Sequence, residues 1–536
     1  MKRLSKLGRT LAIGILALLF IVAAVQVFQR GREEADDSDL EIIRFAHWQL
    51  EPGIREAFDA IAKEYMALHP QVRIKQLSIP GRVWKQWLRT QLVGGEPPDL
   101  IEVVNYEVSD EMLARYFVPL TVPLEEKNPY NADEPDLRDL SWRRSFSSEL
   151  IPEDSVHYYS ANLLEYYAVP NAMVTVRIFY NRDIVRAALG EDRVPETYQE
   201  FLHWCEAVNA YAEKTGQPIM ALAGSSYNAV QLTGMLTSTL TQKLVLDIDY
   251  SKDLNFTVQE TLITYLLGDW SMRTPALSRC FEIVESIGRF MPPGWAQLNR
   301  DDAMLQFLQG KVAMIPTGTW DAAGILQQAD FDVGAFRVPG VGPDDQYFGE
   351  WAMGPASEAN IFASMSFGVT RTSKHSERAI DFLRFMTSRR SNTTFAEMST
   401  WLPVIKGATV PAVSKPFEPI EKGFIRGPSV RSLSVPANDI FQQNIHMLSG
   451  RTANAAAYIE HTEPLYKRAV PQELTRMAKV YQATTRQKDS VLAALYQLEK
   501  DEGLARSKFD IVASKQLQVE AQRLQILRSL EDHAKR

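Results

Sequence analysis

The sequence predicts an α/β protein of at least two sheet-and-helix units, preceded by an export segment and followed by a helical tail. Three observations carry this. Strand-like and helix-like segments alternate with short breaks from residue 41 onward. At 536 residues, 45% hydrophobic and 23% charged, the chain is too long for one core, and its length fits two to four domains. From Pro471 on, the last 66 residues contain no Trp, one Gly (Gly503) and no further Pro, and are rich in Ala, Leu, Gln, Lys and Glu, which is helix composition.

The elements follow in order. Leu11 to Val25 is an unbroken run of 15 apolar and Gly residues, reaching Phe28 past Gln26 and preceded by Lys2, Arg3, Lys6 and Arg9. Its basic flank stays cytoplasmic and the bulk of the chain is exported. The run falls between a signal-peptide core and a full span. Ala24 with Val22 offers a cleavage site, but no clean A-x-A follows, so the expectation is an uncleaved anchor in the cytoplasmic membrane through residues 11–28. No Cys precedes Cys205, so a lipid-bearing cysteine is not expected.

Ile42 to Ala46 then reads as a strand, ending at His47-Trp48. Ile54, Phe58, Ile61, Ala62 and Tyr65 recur at helical spacing until His69-Pro70. Val72 to Leu77 alternates as a strand, Val83 to Val93 is helical, Gly94 to Pro98 breaks it, and Leu100 to Val104 is again a strand. Such a succession predicts a parallel sheet, with ligand in the crevice beyond the carboxyl ends of its strands; Trp48 and Asn105-Tyr106 occupy such ends. Tyr167 to Pro170 and Val174 to Tyr180 are strand-like. Thr197 caps a helix through Ala212, and Ile219 to Ala223 is a strand. Helix Asp302 to Gln309, strand Val312 to Pro316, the turn Thr317 to Trp320, strands Phe331 to Val338 and Met365 to Val369, and helix Glu377 to Thr387 complete the body. The tail reads as two helices broken near Gly503, either packed on the body or presenting a surface to another protein.

Composition and motifs exclude several functions. With 58 basic and 66 acidic residues, a net charge of −8, a phosphate-neutralising nucleic-acid binder is not expected. Two cysteines, Cys205 and Cys280, exclude a disulfide scaffold and multi-cysteine metal sites. A single bridge stays open, but both lie in apolar helix-like stretches, which predicts buried thiols. No two of the eight histidines stand within five residues, and no phosphate-loop, dinucleotide or nucleophile-elbow motif occurs. No metal, cofactor or catalytic residue is expected.

A series of segments carries a resemblance: Phe45 to Trp48; Glu64 to Pro70; Gly94-Gly95-Glu96-Pro97-Pro98-Asp99-Leu100-Ile101; Ile178 to Asp183; Gln309 to Met314 leading to Gly318-Thr319-Trp320; Ser366 to Val369 before Ser376 to Leu383; and Trp401-Leu402-Pro403. In order and spacing, from about Glu41 to Val470, they resemble the family 1 extracellular solute-binding proteins of ABC importers, the maltose-binding-protein-like group. The resemblance implies a two-lobed periplasmic-binding-protein fold of type II, the Venus flytrap. One lobe spans 41–168 plus 340–388, and the other 174–337 plus 395–470. The export segment is 1–40 and the helical tail 471–536. Crossings are expected near Ala168 to Thr175, Arg337 to Gly340 and Ser388 to Phe395. The resemblance implies a non-enzymatic, periplasmic or extracytoplasmic protein that holds a mono- or oligosaccharide between its lobes and hands it to ABC permease subunits. Its cleft positions map onto Trp48, Asp99, Tyr227 and Trp320, and less strongly onto Trp351, Trp84, Tyr106, Asn228, Glu350 and Trp401. Two alternatives keep part of this reading: a membrane-anchored sensor signalling through the helical tail, and a secreted carbohydrate-active enzyme with paired carboxylates.

Overall fold

The computed structural model describes residues 40–103, 108–147, 158–160, 163, 165–191, 193–252, 256–358, 363–450, 452–498 and 503–535. The apolar run 11–28 and Tyr106 lie outside them. Among the described residues, strands β1 (Glu41–His47), β2 (Val72–Ser78), β3 (Leu100–Glu102), β4 (Tyr158–Ser160), β5 (Glu165–Met173), β6 (Val176–Asn181), β7 (Met220–Leu222), β8 (Val312–Gly318), β9 (Val333–Arg337) and β10 (Ala363–Val369) form two sheets. The first has the order β2-β1-β3-β10-β5-β4 and the second β7-β8-β6-β9.

Parallel pairing is confined to β2-β1-β3 and to β7-β8; β10 runs antiparallel to β3 and β5, and β6 antiparallel to β8 and β9. The all-parallel expectation therefore holds only where a helix joins neighbouring strands. β5 passes directly to β6 in the other sheet, and β10 arrives from the other sheet, so no crossover within one sheet sets their direction.

Local chemistry accounts for the helices around the site. Helix Ile54–Leu68 buries Ile54, Phe58, Ile61 and Tyr65 against Phe45, Phe382 and Phe395. It starts at Gly53, whose φ of 83° and contact with the Met398 carbonyl leave no room for a side chain. Helix Tyr198–Thr215 opens with a reciprocal capping box between Thr197 and Glu200 and closes on Gly216. Cys205 and Cys280 are buried free thiols, as their apolar surroundings predict.

The segments between the sheets are tied by a buried ion pair. Arg177 on β6 is fully buried and grips Glu358 through two bonds of 2.9 and 3.0 Å. Its remaining donors go to the carbonyls of Val176, Pro416, Phe417 and Glu418. Helix Arg389–Ser399 packs on helix Ile54–Leu68 and on β5. Leu402 bridges to Met173, and the Asn392 amide donates to the Asn171 carbonyl at 2.7 Å. Residues from 395 to about 410, expected in the second lobe, therefore lie against the first sheet; Phe395 and Trp401 are drawn into its aromatic core.

The tail helix begins at Ala455, ahead of Pro471, and runs to Leu498 through Pro464 and Pro471. Proline opposes a helix interior, but Tyr458, Tyr466, Val470 and Leu474 are buried there, and packing prevails. Helix Gly503–Lys535 returns along it and inserts Ile526 into the core. The Tyr265 hydroxyl and Met272 amide donate to Glu463 at 2.6 and 2.8 Å, and the Gln259 amide to the Gln522 carbonyl at 3.2 Å. The tail is thus packed on the helices of the second sheet. Among the described residues, no helix is long and apolar enough to cross a membrane.

Candidate ligand-binding site

In both sheets the parallel pairs aim their carboxyl ends at loops that carry aromatic and charged residues. Beyond β1 comes Trp48 to Glu51, and β3 ends on Glu102. Beyond β7 comes Ser225, which caps helix Ser226–Thr237 and so sets Tyr227 in its first turn. Beyond β8 the chain turns through Trp320 and Asp321. Helix Arg300–Leu308 starts with Arg300, fixed by the Asn299–Asp302 capping box.

Glu102 shapes the first loop. It is 2% exposed, accepts the Gln49 side-chain amide at 2.7 Å and the Trp48 backbone N–H at 3.2 Å, and so holds both residues in place. Burial pushes its pKa up to about 8; these hydrogen bonds oppose the rise and the Glu51 charge adds to it. The Trp48 ring lies over Gly81, where an added Cβ would stand 2.8 Å from Cε3.

The second set is a charged and aromatic cluster. Arg300 pairs with Asp321, whose other oxygen accepts the Thr317 hydroxyl at 2.6 Å. The Arg300 guanidinium lies 5.4 Å from the centre of the Tyr227 ring. Trp320 folds back over Gly318 and packs against both hydrophobic cores.

Burial raises the Glu51 pKa, while the Arg300 charge lowers it and Asp321 raises it, so the first loop lies within electrostatic reach of the second set. Tyr227 is pushed up to about 12 chiefly by burial, with Arg300, Asp321, the Trp320 indole and Glu51 all acting on it. Two aromatic rings beyond the second sheet, one beyond the first, and donors and acceptors of both signs stand at the carboxyl ends of the parallel strands. Such a set packs a ring face on C–H groups and hydrogen-bonds hydroxyls. Among the described residues, no group of three His, Cys, Asp or Glu could hold a metal ion.

Of the sequence-derived candidates, Trp48, Tyr227 and Trp320 lie on these loops. Asp99 does not. It stands at the start of β3, away from the crevice end, and its oxygens take the Arg44 backbone N–H at 2.8 Å and the Ser373 hydroxyl at 2.6 Å. Trp84 is a core residue, 1% exposed and stacked on Trp87. Asn228 is fully buried and bonded to Ser225 and the Pro316 carbonyl. Trp401 is buried in the core of the first sheet. Glu350 is exposed, with its carbonyl accepting from Lys243; Trp351 packs against the core behind the second sheet. Sequence reasoning missed Glu51, Glu102, Arg300 and Asp321. Asp321 adjoins Trp320 and Glu51 shares the Trp48 loop, so proximity to the aromatic candidates could have found two of them.

The bacterial extracellular solute-binding protein family matches residues 60–417. The multiple sugar-binding protein of Streptococcus mutans is 22% identical over 427 residues, 79% of this chain and 87% of that protein. RafE from Streptococcus pneumoniae, solved in its apo form, is 16% identical with a TM-score of 0.55, over 80% of this chain and 98% of that one. The GacH receptor of Streptomyces glaucescens, solved unliganded and with acarbose, is 18% identical with a TM-score of 0.54 over the same shares. The two solved structures share the fold, and the family match extends over more than half of the chain: the protein belongs to the bacterial extracellular solute-binding proteins.

Proposed function

We propose that this protein binds an oligosaccharide between its two sheets and delivers it to the permease subunits of an ABC importer. The observation that carries this is Trp48 and Glu51 on the loop beyond β1 together with Tyr227, Trp320 and the Arg300–Asp321 pair at the corresponding end of the second sheet, the Arg300 and Asp321 charges acting on Glu51. A polyhydroxyl ligand there bridges two rigid units, so binding favours the closed arrangement. The Arg300–Asp321 pair balances its own charge, which suits a neutral ligand. The sugar-binding relative of Streptococcus mutans supports the ligand class.

On this reading the sheets are the cores of two lobes joined by three crossings: Val174-Thr175, the segment from Arg337 to β10, and the return after Phe417. The protein acts without turnover, and the apolar run 11–28 keeps it at the cytoplasmic membrane facing outward. The test is a thermal-shift screen of the exported chain against mono- and oligosaccharides, followed by calorimetry, because a ligand that binds only the folded state raises the melting point. At least one oligosaccharide should bind saturably and be recovered intact. No binding across the panel refutes the ligand class, and release of a hydrolysis product refutes the transport role. The intact mass of the membrane-extracted chain tests the anchor.

A further inference from the structure

Two faces of helix Gly503–Lys535 are occupied. One packs on helix Ala455–Leu498, where the Gln516 amide donates to the Thr485 carbonyl at 3.0 Å and to Asp489 at 2.5 Å. Another packs on the body: Ile526 is fully buried, and the Gln522 carbonyl and Gln525 side chain accept from Gln259 and Tyr250. The remaining face carries Asp510, Ser514, Leu517, Ala521, Leu524 and Arg528, spaced alternately by four and three residues, and every one of them is exposed. Leu517 and Leu524, at its centre, are 71% and 53% exposed. This is the 3.5-residue rhythm with which one helix meets another.

The order of residues along this stripe says what covers it. It is apolar at the centre, acidic at one end and basic at the other, so it is complementary to itself when reversed. With a two-fold axis between Leu517 and Ala521, Leu517 faces Ala521 of a second copy, Ser514 faces Leu524, and Asp510 faces Arg528. Each leucine then meets a small residue, which lets the two helices interdigitate, and each end carries an opposite-charge pair. A parallel pairing would set Asp510 on Asp510 and Arg528 on Arg528, so charge selects the antiparallel two-fold. Glu520, beside the axis, is neutralised by its own Arg523 at 2.9 and 2.5 Å.

We infer that this face is a docking surface for a second copy of the chain, and that two copies pair through it as antiparallel helices. The stripe lies beyond residues 60–417, which the solute-binding family matches, and the pairing needs neither the crevice nor a sugar. Each body packs at the 522–529 end of its own stripe, so the antiparallel arrangement sets the two ligand-binding bodies at opposite ends of the paired helices.

The test is sedimentation velocity of the full chain, extracted in detergent at about 0.15 M salt and free of saccharide. A reversible monomer–dimer equilibrium is expected. Leu517→Glu, at a position exposed in the single chain, should weaken it about tenfold or more and leave the melting temperature of the monomer unchanged. Asp510→Arg and Arg528→Asp should each weaken self-association, while the two variants mixed should associate with each other as tightly as wild type, because opposite charges then face at both ends. A chain that stays monomeric at every concentration overturns the inference and leaves this face to another protein. So does a dimer that Leu517→Glu leaves intact, which places the contact elsewhere, or a mixture of the two charge variants that associates no better than either alone.

Discussion

Gly81→Ala separates ligand binding from folding in this protein. An added Cβ would stand 2.8 Å from Trp48 Cε3, while ordinary contact begins near 3.4 Å, so the indole must retreat by about 0.6 Å. A gap of that size on a dispersion contact forfeits about a quarter to a half of its depth. Aromatic stacking contributes about 0.5–1.5 kcal/mol beyond area burial, so partial to full loss of the Trp48 contact weakens saccharide binding by up to about tenfold. The fold is expected to respond in the opposite sense. Gly81 is exposed and opens helix Gly81–Gly94 with an ordinary φ, and Ala in place of Gly favours a helix by up to about 1 kcal/mol. The assay is paired: calorimetry with the oligosaccharide from the screen, and the melting temperature without it. Affinity should fall while the melting temperature holds or rises. Unchanged affinity would remove Trp48 from the site, and a large drop in melting temperature would show that the Trp48 packing serves the core.

Trp320→Ala removes the ring that packs against both cores and should weaken saccharide binding tenfold or more, about 2 kcal/mol for a central anchor; an unchanged titration removes it from the site. Glu102 holds its proton to about pH 8 when folded but to only about pH 4.3 when unfolded. Between those values the folded state binds more protons, so stability falls as pH rises, by up to about 1.4 kcal/mol per unit. Melting curves should accordingly show Glu102→Gln flattening the pH dependence from 5 to 8, and an unaltered slope would contradict the assignment. Arg177→Met leaves Glu358 buried without its partner and should cost about 3–5 kcal/mol by denaturant unfolding; Arg177→Met with Glu358→Met should recover most of it, and equal destabilisation by the double variant would refute the pairing.

The strands and helices of the body were legible wherever periodicity was strong. Helix Ile54–Leu68 and β8 fall within two residues of their expected bounds, because their apolar spacing admits one buried face. The tail helix begins ahead of the composition change at Pro471, because the packing of Tyr458, Tyr466 and Val470 carries the helix through Pro464 and Pro471. Trp84 and Trp401 illustrate a different limit. An indole has the same chemistry in a core and in a crevice, and only the neighbours distinguish Trp87 stacked on one from the turn that carries Trp320.

By itself, the sequence determined the alternation of strands and helices, the buried thiols and the aromatic residues at strand ends, because each depends on the side chains and their nearest neighbours along the chain. Only the tertiary structure decided strand direction, the commitment of Asp99 to Arg44 and Ser373, and the action of the Arg300 and Asp321 charges on Glu51. Residues this far apart in the chain act on one another only when two sheets dock, and their burial then depends on that docking.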